Sequence, residues 1–253
     1  MNLLDLTGKK ALVIGVGGIG TVLAVGFAQH GADVAVADRD AGSAEAAASG
    51  VRSFGCRTVA RTVDVTSEAS VSALATELAE SWGGIDILVN TAGVAARQPS
   101  VSVPIEKLRE TIEVNTIGTF ICCRVFGKDM IARGGGKIVN ISSVRAQYGA
   151  RRGMADYCAS KGAVDALTRQ LAVEWAPHRI YVNAIAPTVV ETALTRSILS
   201  DPEAAAGLAQ QIPMGRWAQP EDLVGPVLFF ASAASDYVTG QVLFVDGGLT
   251  SVV

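Results

Sequence analysis

Short apolar runs rich in β-branched residues recur along the chain, with longer Ala/Leu-rich segments between them. The runs fall at 10–15 (KALVIG), 33–38 (DVAVAD), 58–65 (TVARTVDV), 85–90 (IDILVN), 137–142 (KIVNIS), 180–187 (IYVNAIAP) and 242–248 (VLFVDGG). Continuous apolar runs of this length suit strands buried on both faces. Helices are expected at 18–30, 67–82, 105–132, 156–175 and 220–233. Strand then helix, repeated with right-handed crossovers, predicts an α/β fold: a doubly wound, Rossmann-like parallel sheet of seven strands with helices on both faces. No linker divides the chain, so residues 1–253 are expected to form a single domain. The least regular stretch, 188–219, follows the sixth run and is expected to be a substrate lid with short helices.

The chain has 253 residues, 49% hydrophobic and 18% charged, with a formal net charge of -3, which allows one large core. No block of Lys and Arg recurs along a face, so no nucleic-acid partner is expected. The N-terminus lacks an apolar stretch behind basic residues, and no run is long enough to span a bilayer. The cysteines at 56, 122, 123 and 158 form no C-x-x-C, and the two histidines, His30 and His178, are far apart in sequence. No metal site is therefore expected. The thiols are read as small buried hydrophobes of a cytoplasmic protein.

IGVGGIG follows the first run and opens the first expected helix, so Gly15, Gly17 and Gly20 satisfy G-x-G-x-x-G. Glycines there allow a tight turn, close approach of backbone to a pyrophosphate, and close packing of helix on strand. The helix N-terminus adds free N–H groups and a positive dipole end. The second run ends in Asp38, whose carboxylate suits the hydroxyls of an adenosine ribose and repels a 2′-phosphate. Arg39, next to it, suits that phosphate. The expected cofactor is NAD, with NADP the alternative.

Tyr157 and Lys161 in YCASK stand four residues apart on an expected helix and so share a face. An isolated Tyr has a pKa near 10. A neighbouring cation can lower a pKa by about 1–3 units, which would bring Tyr157 toward the range useful for acid–base chemistry.

With the glycine turn, DV at 64–65, NTAG at 90–93, VNTIG at 114–118, SSV at 142–144, YCASK at 157–161, AP at 186–187 and VDGG at 245–248, the chain resembles the short-chain dehydrogenase/reductase family along its length. The resemblance implies a catalytic tetrad of Asn115, Ser143, Tyr157 and Lys161. Tyr157 would exchange a proton with the substrate oxygen, and Ser143 would hydrogen-bond that oxygen. Lys161 would also hold the nicotinamide ribose, and Asn115 would steady a water leading to Lys161. Spacing to Tyr157 favours Ser143, with Ser142 the alternative. Cofactor contacts are implied for Gly15, Gly17, Ile19, Gly20, Asp38, Arg39, Asp64, Val65, Asn90, Ala92, Gly93, Tyr157, Lys161, Pro187, Val190 and Thr192. Three positions depart from the family pattern: the glycine turn is one residue short with Ile14 in place of Thr, Thr91 stands for a second Asn, and Thr188 stands for Gly. The family is often tetrameric, so a homo-oligomer is expected.

MGRWAQPEDLVGPVLFFAS and the arginines at 97, 145 and 151 resemble the family's sugar-acid and polyol branch, including gluconate 5-dehydrogenase and deoxygluconate dehydrogenases. Arg97, Arg145, Arg151 and Trp217 are therefore candidates to line the substrate pocket with Ser143 and Tyr157, since a guanidinium binds a carboxylate through two parallel hydrogen bonds. The alternatives are a 3-oxoacyl thioester reductase using NADPH and a non-catalytic dinucleotide-binding regulator.

Overall fold

The computed structural model describes residues 2–150, 153–192 and 195–252. Every apolar run becomes a strand: β1 (Lys10–Ile14), β2 (Asp33–Asp38), β3 (Thr58–Thr62), β4 (Ile87–Asn90), β5 (Gly136–Ile141), β6 (Ile180–Pro187) and β7 (Val242–Val245). All pair in parallel in the order β3-β2-β1-β4-β5-β6-β7. The order reverses at β1, which is flanked by β2 and β4. At such a reversal the following helices leave on opposite faces, and a crevice opens beyond the strand ends.

The side chains of each strand alternate between two cores. Ala11, Val13, Val34 and Val36 pack against α1 (Ile19–Gln29), α2 (Ala41–Arg52) and α9 (Val224–Ala231). Leu12, Ile14, Leu88 and Ile138 pack against α3 (Glu68–Trp82), α5 (Thr119–Arg133) and α6 (Ala155–Trp175). Both faces are thus apolar, which is why the strands read as unbroken runs.

Helix α2 was not among the expected helices. Its buried side is Ala44, Ala47, Ala48 and Val51, and Asp40 caps it by accepting the Ser43 N–H at 2.7 Å. Alanine is the best helix former but gives little apolar contrast for a periodicity to register. The helix expected over 105–132 is α4 (Ile105–Ile112) joined to α5 by a wider π-helical segment, Glu113–Gly118. The 188–219 stretch holds α7 (Arg196–Leu199) and α8 (Pro202–Gln211). Its base is closed by the Glu191 N–H to Ala218 carbonyl bond and the Ala218 N–H to Val189 carbonyl bond, each 3.0 Å. Cys122 and Cys123 are buried, and burial pushes the Cys123 thiol up to about 12. Among the described residues no helix is long and apolar enough to cross a membrane.

Phe126 on α5 is 1% exposed at the centre of the second core. Phe126→Ala is expected to lower the unfolding free energy by about 3–5 kcal/mol, because the lost contacts leave a cavity that close-packed neighbours fill only partly. Urea denaturation of the two proteins measures the difference.

Candidate active site

The glycine turn sits at the carboxyl end of β1. Gly15 has φ 94°, and a Cβ there would lie 2.4 Å from the Ala92 nitrogen. A Cβ on Gly20 would lie 2.1 Å from the Gly15 carbonyl oxygen, so the turn closes only without side chains at these two positions. Thr91 secures the shortened loop: its hydroxyl donates to the Ile14 carbonyl at 2.9 Å and also to the Gly15 carbonyl. A Cβ on Gly17 would meet nothing within 4 Å, so the backbone there faces open space. The first N–H groups of α1 carry no side-chain cap and no acid in the first turn. Open glycine backbone leading into an uncapped helix start fits the pyrophosphate of a dinucleotide.

The groove runs from this turn past Asp38, Arg39, Asp64 and Val65 on one side and Ala92, Gly93 and Thr192 on the other, with Ile19 at its base. Asp38 closes β2 by accepting the Val16 N–H at 2.7 Å and the Asp40 N–H at 3.0 Å. Arg39 is exposed and faces Asp64 and Glu110. The Thr66 hydroxyl bonds the Asp64 carboxyl and lowers its pKa, with help from the Thr66 N–H and Arg39 against a small opposing effect of burial.

Three of the expected cofactor residues have buried side chains. Asn90 is buried and donates its amide to Asn140 at 2.9 Å and Cys123 at 3.4 Å, so its side chain is turned into the sheet. The side chain of Val190 lies in the first core, and Pro187 is buried at the end of β6. The sequence pattern marks a strand end but not which way each side chain leaves it.

Beyond the groove the four tetrad positions come together. Lys161 is 4% exposed, and its ammonium donates to the Ile141 carbonyl at 2.7 Å. It lies 5.6 Å from the centre of the Tyr157 ring. A Cβ on Gly93 would sit 3.4 Å from Asn115 Oδ1 and 3.5 Å from Lys161 Nζ, so both groups converge on that glycine. Ser143 faces the Tyr157 phenol and accepts the Arg145 N–H at 3.1 Å. The hydroxyl of Ser142 instead faces away into the core and donates to Asp165. The Asn115 side chain is held at both ends. It accepts the Val94 N–H at 2.8 Å and donates to the Val94 carbonyl at 2.9 Å and to the Ser160 hydroxyl at 3.0 Å. These bonds clamp the β4 loop to α6. The π-helical turn, a frequent feature of functional sites, points Asn115 inward.

The electrostatics also differ from expectation. Burial raises the Tyr157 pKa above its ordinary value; the Ser143 hydrogen bond, then Arg97 and, more weakly, Arg145 pull it down, while Cys158 adds to the rise. The side chain as a whole is half-buried, so water at its open edge tempers that rise. Lys161 is not among the groups that lower it. Burial pulls Lys161 itself down to about 8, with Asp165 acting in the opposite direction.

Arg97 reaches this site from the loop after β4. Its φ of 54° is left-handed, uncommon for a side chain of this size. Asp156 fixes the loop by accepting the Ala96 N–H at 2.9 Å and the Thr111 hydroxyl at 2.8 Å. The Arg97 Nε is buried and has no hydrogen-bond partner among the described residues. Arg145 faces Tyr157 and donates to the Gly149 carbonyl at 2.6 Å. Arg151 lies outside the described residues. Trp217, a candidate for the substrate pocket, is fastened to Glu191 at 3.1 Å, which makes it a strut of the 188–219 stretch. Among the described residues no three His, Cys, Asp or Glu side chains gather as a metal site.

Comparison with known proteins gives the same assignment as the geometry. The family model described as "Enoyl-(Acyl carrier protein) reductase" matches residues 15–250. Gluconate 5-dehydrogenase of Gluconobacter oxydans (strain 621H) is 39% identical over 250 residues, covering 98% of this chain and 97% of the relative. Galactitol 2-dehydrogenase (L-tagatose-forming) of Cereibacter sphaeroides is 41% identical over 248 residues, covering 97% and 96%. The crystal structure of a gluconate 5-dehydrogenase from Burkholderia cenocepacia J2315 in complex with NADP and tartrate superposes with a TM-score of 0.94 at 41% identity, covering 100% of this chain and 99% of that one. With a dinucleotide groove at the sheet reversal and Ser143, Tyr157 and Lys161 at its inner end, this chain belongs to the short-chain dehydrogenase/reductase family, oxidoreductases that move a hydride between a nicotinamide dinucleotide and a CH–OH group.

Proposed function

We propose that this enzyme interconverts a secondary alcohol and a ketone on a sugar acid or polyol, uses NAD(H), and holds an acidic substrate through Arg97. The observation that carries the substrate reading is the buried, unpartnered Arg97 Nε beside Tyr157. A buried donor without a partner is costly, and a carboxylate supplies one in the geometry a guanidinium prefers. The sugar-acid and polyol activities named for the Gluconobacter and Cereibacter relatives support the same reading. The 188–219 stretch acts as a lid over this substrate. Homo-oligomerisation fits the exposed apolar side chains of Val173, Tyr237 and Leu243. Free thiols at 56, 122, 123 and 158 fit a reducing cytoplasm.

When bound, the nicotinamide supplies or takes the hydride. Tyr157, held protonated by its surroundings, donates its proton to the carbonyl oxygen during reduction and recovers it during oxidation. Ser143 shares the substrate oxygen and lowers the phenol's pKa. Lys161 carries the positive charge at the inner end of the groove. NAD(H) is favoured by Asp38 and Asp64, two carboxylates at the adenosine edge that would repel a 2′-phosphate. The opposing feature is Arg39, in line with the NADP of the Burkholderia structure.

Tyr157→Phe keeps the ring and removes the proton. Turnover is expected to fall at least about 10²-fold with dinucleotide binding retained; near-normal turnover would remove Tyr157 from the reaction. Arg97→Met is expected to lower kcat/KM for a sugar acid by about 10- to 150-fold, the worth of one charge-assisted hydrogen bond, mainly through KM. A neutral polyol should be nearly indifferent to that change. Equal losses on both substrates would make Arg97 structural, and activity confined to acyl thioesters would replace the sugar reading by the reductase alternative. Initial rates with both cofactors should give the higher kcat/KM with NAD(H), and Asp38→Ala should narrow the gap. A wild type preferring NADP(H) would give the choice to Arg39.

A further inference from the structure

Asp165 lies one helical turn beyond Lys161 on α6 and is 2% exposed, a carboxylate that no step above uses. The Ser142 hydroxyl donates to it at 2.5 Å. Ser142 sits between two residues of the site. The carbonyl of Ile141 receives the Lys161 ammonium at 2.7 Å, and Ser143 faces the Tyr157 phenol. Helix α6 therefore grips the corner after β5 at two points one turn apart, through Lys161 and through Asp165. The Ser142 N–H is held in turn by the Ile185 carbonyl at 2.7 Å, which ties the corner to β6.

The charges around this corner are few. Arg169, on the next turn of α6, faces Asp165. Arg97 and Arg145 face the Tyr157 phenol. The corner after β5 contributes hydroxyls and a carbonyl, and the π-helical segment contributes the neutral Asn115. Among the described residues Asp165 is the one acid that acts on Lys161. A buried ammonium with no counter-charge tends to shed its proton.

We propose that Asp165 is a positioning residue of the reaction: through Ser142 it fixes the corner that carries Ser143, and it supplies the buried negative charge that keeps Lys161 an ammonium. The proposal rests on the reading that Lys161 works as a cation beside Tyr157. The sign follows from the charges. Burial disfavours the Lys161 cation and Asp165 favours it, so removing the Asp165 charge lets Lys161 lose its proton at lower pH.

The test uses cofactor-free protein labelled with ¹³Cε-lysine. Six lysines give six signals, and Lys161→Arg identifies the one that matters. In the wild type that signal is expected to titrate near pH 8. In Asp165→Asn, which keeps the shape and an acceptor for Ser142, it is expected to move down by about one unit, the lower range for a nearby opposite charge. The alkaline limb of kcat/KM should move with it. Should Asp165→Asn fail to fold, Asp165→Ser takes its place. Ser142→Ala leaves the charge and removes the bond: kcat is expected to fall about 10-fold, the upper worth of one ordinary hydrogen bond, and Ser142→Thr should restore it. An unmoved Lys161 titration overturns the charge role, and full activity in Ser142→Ala overturns the anchoring role. Normal turnover in Tyr157→Phe would sink the catalytic reading separately, because the lysine titration needs no turnover.

Discussion

The site depends on one buried amide. Asn115 is 0% exposed, and it spends both ends of its side chain between the Val94 backbone and the Ser160 hydroxyl. Those three bonds join the loop after β4, which carries Arg97, to the helix that carries Tyr157 and Lys161. A buried polar group left unpaired is costly, so the two elements cannot drift apart without exposing or orphaning the amide. The π-helical turn is what brings the amide inward. A second polar chain runs beneath it, from Asn90 to Asn140 at 2.9 Å and on to Thr168 at 3.0 Å, and ties β4 and β5 to the same helix. The proton chemistry sits on α6, and α6 is held by hydrogen bonds as well as by its apolar face.

The cofactor groove has a different origin. It exists because the strand order reverses at β1, and its shape comes from backbone rather than side chains. The close approach of Gly15 to Ala92 and of Gly20 to Gly15 leaves no room for a Cβ at either glycine. The loop is one residue shorter than the family pattern, and Thr91, itself a departure from that pattern, binds the two carbonyls at the end of β1. Two irregularities that look independent in the sequence are thus one local solution. The same crevice sets two acids, Asp38 and Asp64, against Arg39, so cofactor choice rests on a balance of charges at an exposed edge, where screening by solvent is strong.

All seven strands were legible as apolar runs, because a strand buried on both faces has no alternation to hide it. The glycine turn and the Tyr157–Lys161 spacing were legible for a related reason: each is local, and its geometry follows from backbone rules over a few residues. Helix α2 was missed because a face of Ala44, Ala47 and Ala48 carries little apolar contrast. What no local rule supplies is direction. Only the tertiary structure turned Ser142 into the core and Ser143 toward Tyr157, sent Asn90 into the sheet, and bound Trp217 to Glu191. It also decided the electrostatics. The sequence by itself put a cation within reach of the phenol and implied a lowered pKa. Burial outweighs the groups that lower the Tyr157 pKa, because desolvation depends on every neighbour in space and not on spacing along a helix.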